Sequence, residues 1–462
     1  MPEITSNPEQ LNLESVNTFG APSDLKITDM RFVDVIGAPM HCTLLRLSTN
    51  QGIFGYGEVR DLGTRTYALM LKDRILGENP CNVDKIFRRI KQFGNHARQG
   101  GGVCGVEVAL WDLAGKAFGV PVYQMLGGKF RDVVRMYCDT DVHGKHNGTD
   151  MGRALRERME MGYTFLKMDL GIRYLTDKPG ALNAPVGLLD VMRSRGRRTD
   201  NPADSSDDML ERKLRRNRFY DINNIAHPFS DIHITEHGLD LLEEYVHQVR
   251  EEIGYEVPLA IDHFGHIPLS DCIRLARRLE KFNLAWLEDM IPWQLTDQYR
   301  RLSESTTAPI CTGEDIYLKE NFKPLLEHGG LSMVHPDVLS CGGILELKKI
   351  GDVALEYGVA MSVHMAESPV ACLAAVHACA ASENFTALEF HSVESEWWSS
   401  MVTGLPNPLV QDGFIRVPDG PGLGFETLDD DVLGSHLHPD FPELWAPTES
   451  WNNEYPHDRT WS

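Results

Sequence analysis

The sequence predicts a (β/α)8-type barrel with an α+β domain in front of it, and three observations support this. From about residue 134 onward, eight short apolar runs alternate with stretches whose apolar residues recur at helical spacing. Parallel strands need crossover connections, and helices are the usual ones. Acidic residues recur at or near the ends of those runs, where barrel active sites form. The length of 462 residues allows one large barrel plus additions.

The elements follow in order. Residues 1–22 open as MPEITSNPEQLNLESVN and read as a flexible lead. With neither a basic region nor an apolar core, this lead is not a secretory signal. Residues 23–133 read as α+β, with strand patterns LKITDMRFVDVI, CTLLRLST and GIFGYGEV followed by helices. Residues 134–400 carry the barrel runs VRMYCDTD, TFLKMDL, PLAIDHF, LAWLEDM, PICTGED, SMVHPDVL, AMSVHM and TALEF. Between them lie helical patterns such as DCIRLARRLEKF, ILELKKIGDVALEY and PVACLAAVHACAA. Residues 401–462 read as a C-terminal segment returning to the α+β domain, with a short strand in the turn-rich DGFIRVPDGPGLGF and an acidic tail wrapping the surface.

One interval breaks the rhythm. Residues 172–234, after the second run, are polar and irregular, with 11 Lys/Arg against 9 Asp/Glu. They read as an insertion leaving a strand's C-terminal end, either a solvated excursion or a lid or subunit contact.

Composition narrows the function classes. An apolar fraction of 42% is ordinary for a globular protein, and no apolar run is long enough to cross a bilayer. Nine scattered cysteines with no CxxC pair point to reduced thiols in the cytoplasm. A formal charge of −22 argues against nucleic acid as a partner. For an anionic substrate it also demands a local positive centre.

Three acids keep a common interval. Asp262, Glu288 and Glu314 are 26 residues apart, about one strand–helix unit each. Carboxylates converging on one barrel mouth repel unless a cation joins them, and an open, all-oxygen site favours Mg²⁺. The rhythm continues with Asp337 on the sixth run and His364 on the seventh. A carboxylate beside an imidazole fixes its tautomer and raises its basicity, which builds a general base. Glu389 on the eighth run completes the ring.

At this point the chain resembles the enolase superfamily, in its mandelate racemase-like subgroup. GIFGYGEV and GVEVALWDLAGKAFGVPVYQMLGGK resemble the segments of the family's capping domain, and DGFIRVPDGPGLGF resembles its closing segment. The resemblance implies that the α+β domain caps the barrel and that Asp262, Glu288 and Glu314 bind Mg²⁺. It also implies an Asp337–His364 dyad with His364 as base, and a hydrogen bond from Glu389 to the substrate carboxylate as charge develops. Lys167 falls where the family usually carries a Lys-x-Lys pair, as a cation near the substrate.

Two departures from the family pattern matter. FLKMDLG offers Lys167 and Asp169, a Lys-x-Asp. Period-two geometry puts both on one face. A carboxylate near a bound cation is a weak base, which counts against a racemase, since racemisation needs an acid/base group on each face. On the third run, Phe264 stands where many relatives place a polar residue, and His263 and His266 read as solvated loop residues or substitute polar contacts.

The sequence therefore favours β-elimination of water from an acid sugar, giving a 2-keto-3-deoxy acid, with His364 serving as base and then as acid. Racemisation, epimerisation or cycloisomerisation through the same enediolate is the alternative. A non-catalytic metal-binding homologue is the third reading. Loop residues around Val35–His41 and the insertion would set specificity, and analogy with relatives predicts a homo-oligomer.

Overall fold

Three strands whose residues are mostly buried build the first sheet. The computed structural model describes residues 21–184, 189, 232–262 and 267–454. In it β1 (Ile27–Val35), β2 (Cys42–Thr49) and β3 (Phe54–Val59) form an antiparallel sheet in sequential order. The long helix α1 (Ala97–Phe118) follows and ends at Gly119, whose φ of 72° supplies a left-handed stop.

The eight apolar runs become eight parallel strands that close into a barrel. They are β4 (Val133–Cys138), β5 (Leu166–Asp169), β6 (Leu259–Asp262), β7 (Trp286–Glu288), β8 (Ile310–Thr312), β9 (Met333–Val334), β10 (Ala360–Val363) and β11 (Phe385–Phe390). The main intervening helices are α2 (Gly148–Glu160), α3 (Glu236–Ile253), α4 (Leu269–Leu279), α5 (Thr296–Ser303), α6 (Lys319–Glu327), α7 (Ile344–Glu356) and α8 (Pro369–Ala381). Closure is the parallel pairing of β11 with β4, which sets Glu389 beside Tyr137. The predicted C-terminal strand is β13 (Phe414–Arg416), antiparallel to β4 and to β12 (Val410–Gln411).

By Cα proximity the chain divides into two compact units. One is drawn from Met1–Cys138, Gly313–Lys323 and Val334–Ser462, the other from Asp139–Thr312 and Pro324–Met333.

In the first unit, β3 meets α1 through glycines. A Cβ on Gly57 would lie 2.0 Å from the Gly105 carbonyl oxygen, and one on Gly105 would lie 2.5 Å from that of Glu58. That contact explains the spacing of GYGEV and GVCGVEV without any catalytic role. Replacing Gly57 by Val should cost about 3 kcal/mol, because neither backbone can move away without breaking its own ladder. Urea denaturation checks this, and an unchanged midpoint would refute the contact.

The acids of those same motifs are structural. Buried Glu107 accepts from Trp111 Nε1 at 2.7 Å, and from the Ile344 and Leu345 amides at 2.8 and 3.1 Å. It thus satisfies the orphan donors at the start of α7. Glu58 does the same at the start of α8, accepting from the amide and the hydroxyl of Ser368. Helix α8 is buried on every side, as its run of Ala, Val and Cys requires.

In the second unit, β5, β6, β7 and β8 pair in parallel register, with Asp169 opposite Asp262. The two ends of the insertion are tied together there by an antiparallel pairing of Leu182–Asn183 with His233–Ile234. Residues 185–188 and 190–231 of the insertion lie outside the described residues, as do His263, Phe264 and His266.

Candidate active site

Strand ends in the second unit bring three predicted residues together. Lys167 on β5 is 1% exposed, and its Nζ lies 2.8 Å from Asp262 Oδ2 and 3.3 Å from Glu288 Oε2. Asp262 and Glu288 end adjacent strands, so their carboxylates project at the same level. Trp286 Nε1 donates to Glu288 Oε2 at 2.7 Å, which fixes that carboxylate. Two buried acids already converge on one cation, the lysine ammonium. A hard divalent ion suits the same all-oxygen donors.

The first unit holds the others. Asp337 and His364 form a parallel bridge, and His364 Nδ1 lies 2.6 Å from Asp337 Oδ2. The Leu339 amide donates to Asp337 Oδ1 at 2.5 Å, so both carboxylate oxygens are held. With Nδ1 engaged, His364 keeps Nε2 for exchange; it lies 3.3 Å from Glu314 Oε2 and 3.9 Å from Glu389 Oε2. Burial, aided by the neighbouring Arg60, holds the imidazole well below its usual pKa, so it stays neutral. Burial also pushes the Asp337 carboxyl up to about 7, against the pull of Arg60.

Glu314 stands just past β8 because of Gly313, whose φ is 152°. A Cβ at Gly313 would meet the His335 backbone at 2.8 Å, so only glycine passes there. Glu389 is fully buried among three histidines, with His391 Nε2 at 3.3 Å, His335 Nε2 at 3.6 Å and His364 Nε2 at 3.9 Å. The Tyr137 hydroxyl lies 2.6 Å from His335 Nε2 and orients that ring.

Arg60 went unseen in the sequence reading. It directly follows β3, is 2% exposed, and lies 2.9 Å from Asp337 Oδ2, 2.8 Å from Asp61 Oδ1 and 3.8 Å from Glu314 Oε1, with Glu367 also paired to it. An arginine beside the GYGEV motif was the available signal. Alternation also offered His335 and His391, each two residues from a predicted site acid and so on its face. A cavity of about 440 Å³ opens beside them, lined by His391, Ser392, Ser395, Trp397, Gly37 and Pro39 among others. Gly37 and Pro39 belong to the stretch expected to shape specificity.

Comparison with known proteins shows the family. Residues 36–127 match the N-terminal domain of mandelate racemase / muconate lactonizing enzyme, and residues 210–432 match the enolase C-terminal domain-like family. The chain is 31% identical to D-xylonate dehydratase of Haloferax volcanii, over 92% of each. The chain belongs to the mandelate racemase / muconate lactonizing enzyme family of the enolase superfamily.

Other members are similar over comparable spans. D-galactonate dehydratase of Verminephrobacter eiseniae is 26% identical over 88% of this chain and 94% of its own. A mandelate racemase/muconate lactonizing enzyme-like crystal structure from Rubrobacter xylanophilus is 28% identical with a TM-score of 0.73, over 91% of this chain and 99% of that one. Enolase-superfamily sites use a lysine or histidine base with Mg²⁺. The acids of this chain include groups suited to holding an ion. Among the described residues no helix is long and apolar enough to cross a membrane.

Proposed function

We propose that this family member is a Mg²⁺-dependent hydro-lyase that dehydrates an acid sugar to a 2-keto-3-deoxy acid. The observation that carries this reading is the shared span with D-xylonate dehydratase, 92% of both chains. The histidine–aspartate pair in hydrogen-bond contact at 2.6 Å supports it.

The roles follow from the chemistry. A proton α to a carboxylate is very weakly acidic, because its loss creates an enediolate. His364 takes that proton through Nε2, with Asp337 holding its tautomer and balancing the imidazolium that forms. Arg60 keeps Asp337 in place. Glu389 shares a hydrogen with the substrate carboxylate as charge grows there. Asp262, Glu288 and Glu314 hold Mg²⁺, which when bound supplies positive charge to offset the enediolate. Lys167 sits with two of these acids, adding a cation beside the substrate carboxylate in a protein of charge −22.

An isomerase acting through the same enediolate needs a second acid/base group on the opposite face. The engagement of Lys167 by Asp262 and Glu288 supports elimination over that alternative. The intact dyad supports catalysis over mere metal binding. The proposal places the enzyme in the cytoplasm as a homo-oligomer, in keeping with nine free cysteines, eight of them buried.

The test is incubation with Mg²⁺ and a panel of aldonic and aldaric acids, starting with D-xylonate, D-galactonate and D-mannonate. A 2-keto acid should appear with at least one of them. Deuterium entering C2 from solvent without loss of water, across the whole panel, would replace dehydration by isomerisation.

A further inference from the structure

We infer that His391 is a second catalytic histidine, the acid that protonates the departing 3-hydroxyl while His364 takes the α-proton. This deepens the dehydratase reading and rests on it. It also changes the division of labour, since the sequence suggested His364 for both tasks.

Placement singles out His391 among the histidines around Glu389. It lies two residues past Glu389, at the C-terminal end of β11, on the same face as that acid. Its Nε2 is 3.3 Å from Glu389 Oε1, so the two groups act at one place. Its ring centroid is 5.8 Å from that of His364, with the planes 55° apart. The two rings are therefore close enough for one substrate lying across their edges to present C2 to one and the C3 oxygen to the other. His391 lines the cavity bounded by Gly37, Pro39 and Trp397, and its side chain is 17% exposed. His335 is fully buried and is tied to Tyr137, so it cannot play this part.

The need for a second group follows from His364 itself. Its Nδ1 is committed to Asp337, which leaves one nitrogen for exchange. A single nitrogen would have to collect a proton at C2 and hand it to the oxygen on C3 before the C3–O bond could break. Two histidines let the two transfers happen together, and His364 gives up its proton only after water has gone.

The step balances. The C2–H bond breaks and its proton goes to His364; the C3–O bond breaks and the oxygen leaves with the hydroxyl hydrogen and a proton from His391, as water. The electron pair of the C2–H bond becomes the C2–C3 double bond of an enol. The enol then takes the proton from His364 at C3 and returns its hydroxyl proton to His391. Both histidines regain their starting states.

The experiment uses the whole enzyme with Mg²⁺ and the best acid from the panel, together with its 3-deoxy-3-fluoro analogue. Fluoride leaves with far less need for a proton. His391→Asn and His391→Gln should lower kcat for water loss by roughly 10²- to 10³-fold. Both variants should keep C2 proton exchange in D₂O within a few-fold and eliminate fluoride within about tenfold of the wild-type rate. If water loss is unaffected, or if exchange, fluoride loss and water loss all fall together, His391 is not the acid. A wild-type enzyme that releases neither water nor fluoride from any panel member removes the dehydratase reading instead.

Discussion

His364→Asn abolishes turnover, with kcat falling by about 10⁴-fold, while the protein stays folded. General-base catalysis by a positioned histidine contributes about 10²- to 10⁴-fold, and here the base also passes its proton on to C3. Asparagine fills similar space and can still hydrogen-bond Asp337, so the loss reports chemistry and not collapse. Asp337→Asn should follow within about tenfold, since an amide cannot hold the Nδ1–H tautomer or balance the imidazolium. Arg60→Met should fall the same way through Asp337, which its guanidinium meets at 2.9 Å. Steady-state kinetics and C2 deuterium exchange are the measurements. Full activity in His364→Asn would remove the base assigned here.

Lys167→Met destabilises the protein by about 3–5 kcal/mol in EDTA, because it leaves Asp262 and Glu288 buried without their cation. The lysine Nζ is 2.8 Å from one and 3.3 Å from the other, and both acids are at most 2% exposed. Added Mg²⁺ should then restore much of the loss, about 2.7 kcal/mol at a hundred times its Kd. The wild type, which carries its own cation, should gain less. Denaturant unfolding of both proteins, with and without Mg²⁺, measures the difference. If Mg²⁺ moves neither curve, these acids are not metal ligands.

The contrast between these residues shows what could be read from the chain. The eight strands and the helices between them were legible, because buried strands and amphipathic helices carry their period in consecutive residues. Strand ends bring their residues to one level, so the regular spacing of Asp262, Glu288, Glu314, Asp337, His364 and Glu389 was legible too. The partner of Lys167 was not. Read from FLKMDLG alone, it is a cation awaiting a substrate; in the structure two acids from later strands hold it.

What the sequence determined by itself is the barrel, the strands of the N-terminal sheet and the helices after them, and the pairing of Asp337 with His364 on neighbouring strands. Those follow from periodicity and spacing, which act between residues close in the chain. Only the tertiary structure decided that Arg60 reaches the dyad, that Glu58 and Glu107 cap helices, and that His391 lines the cavity. Each of these depends on which buried charge finds which partner across hundreds of residues. Desolvation penalties decide such pairings, and they arise only once the chain is folded.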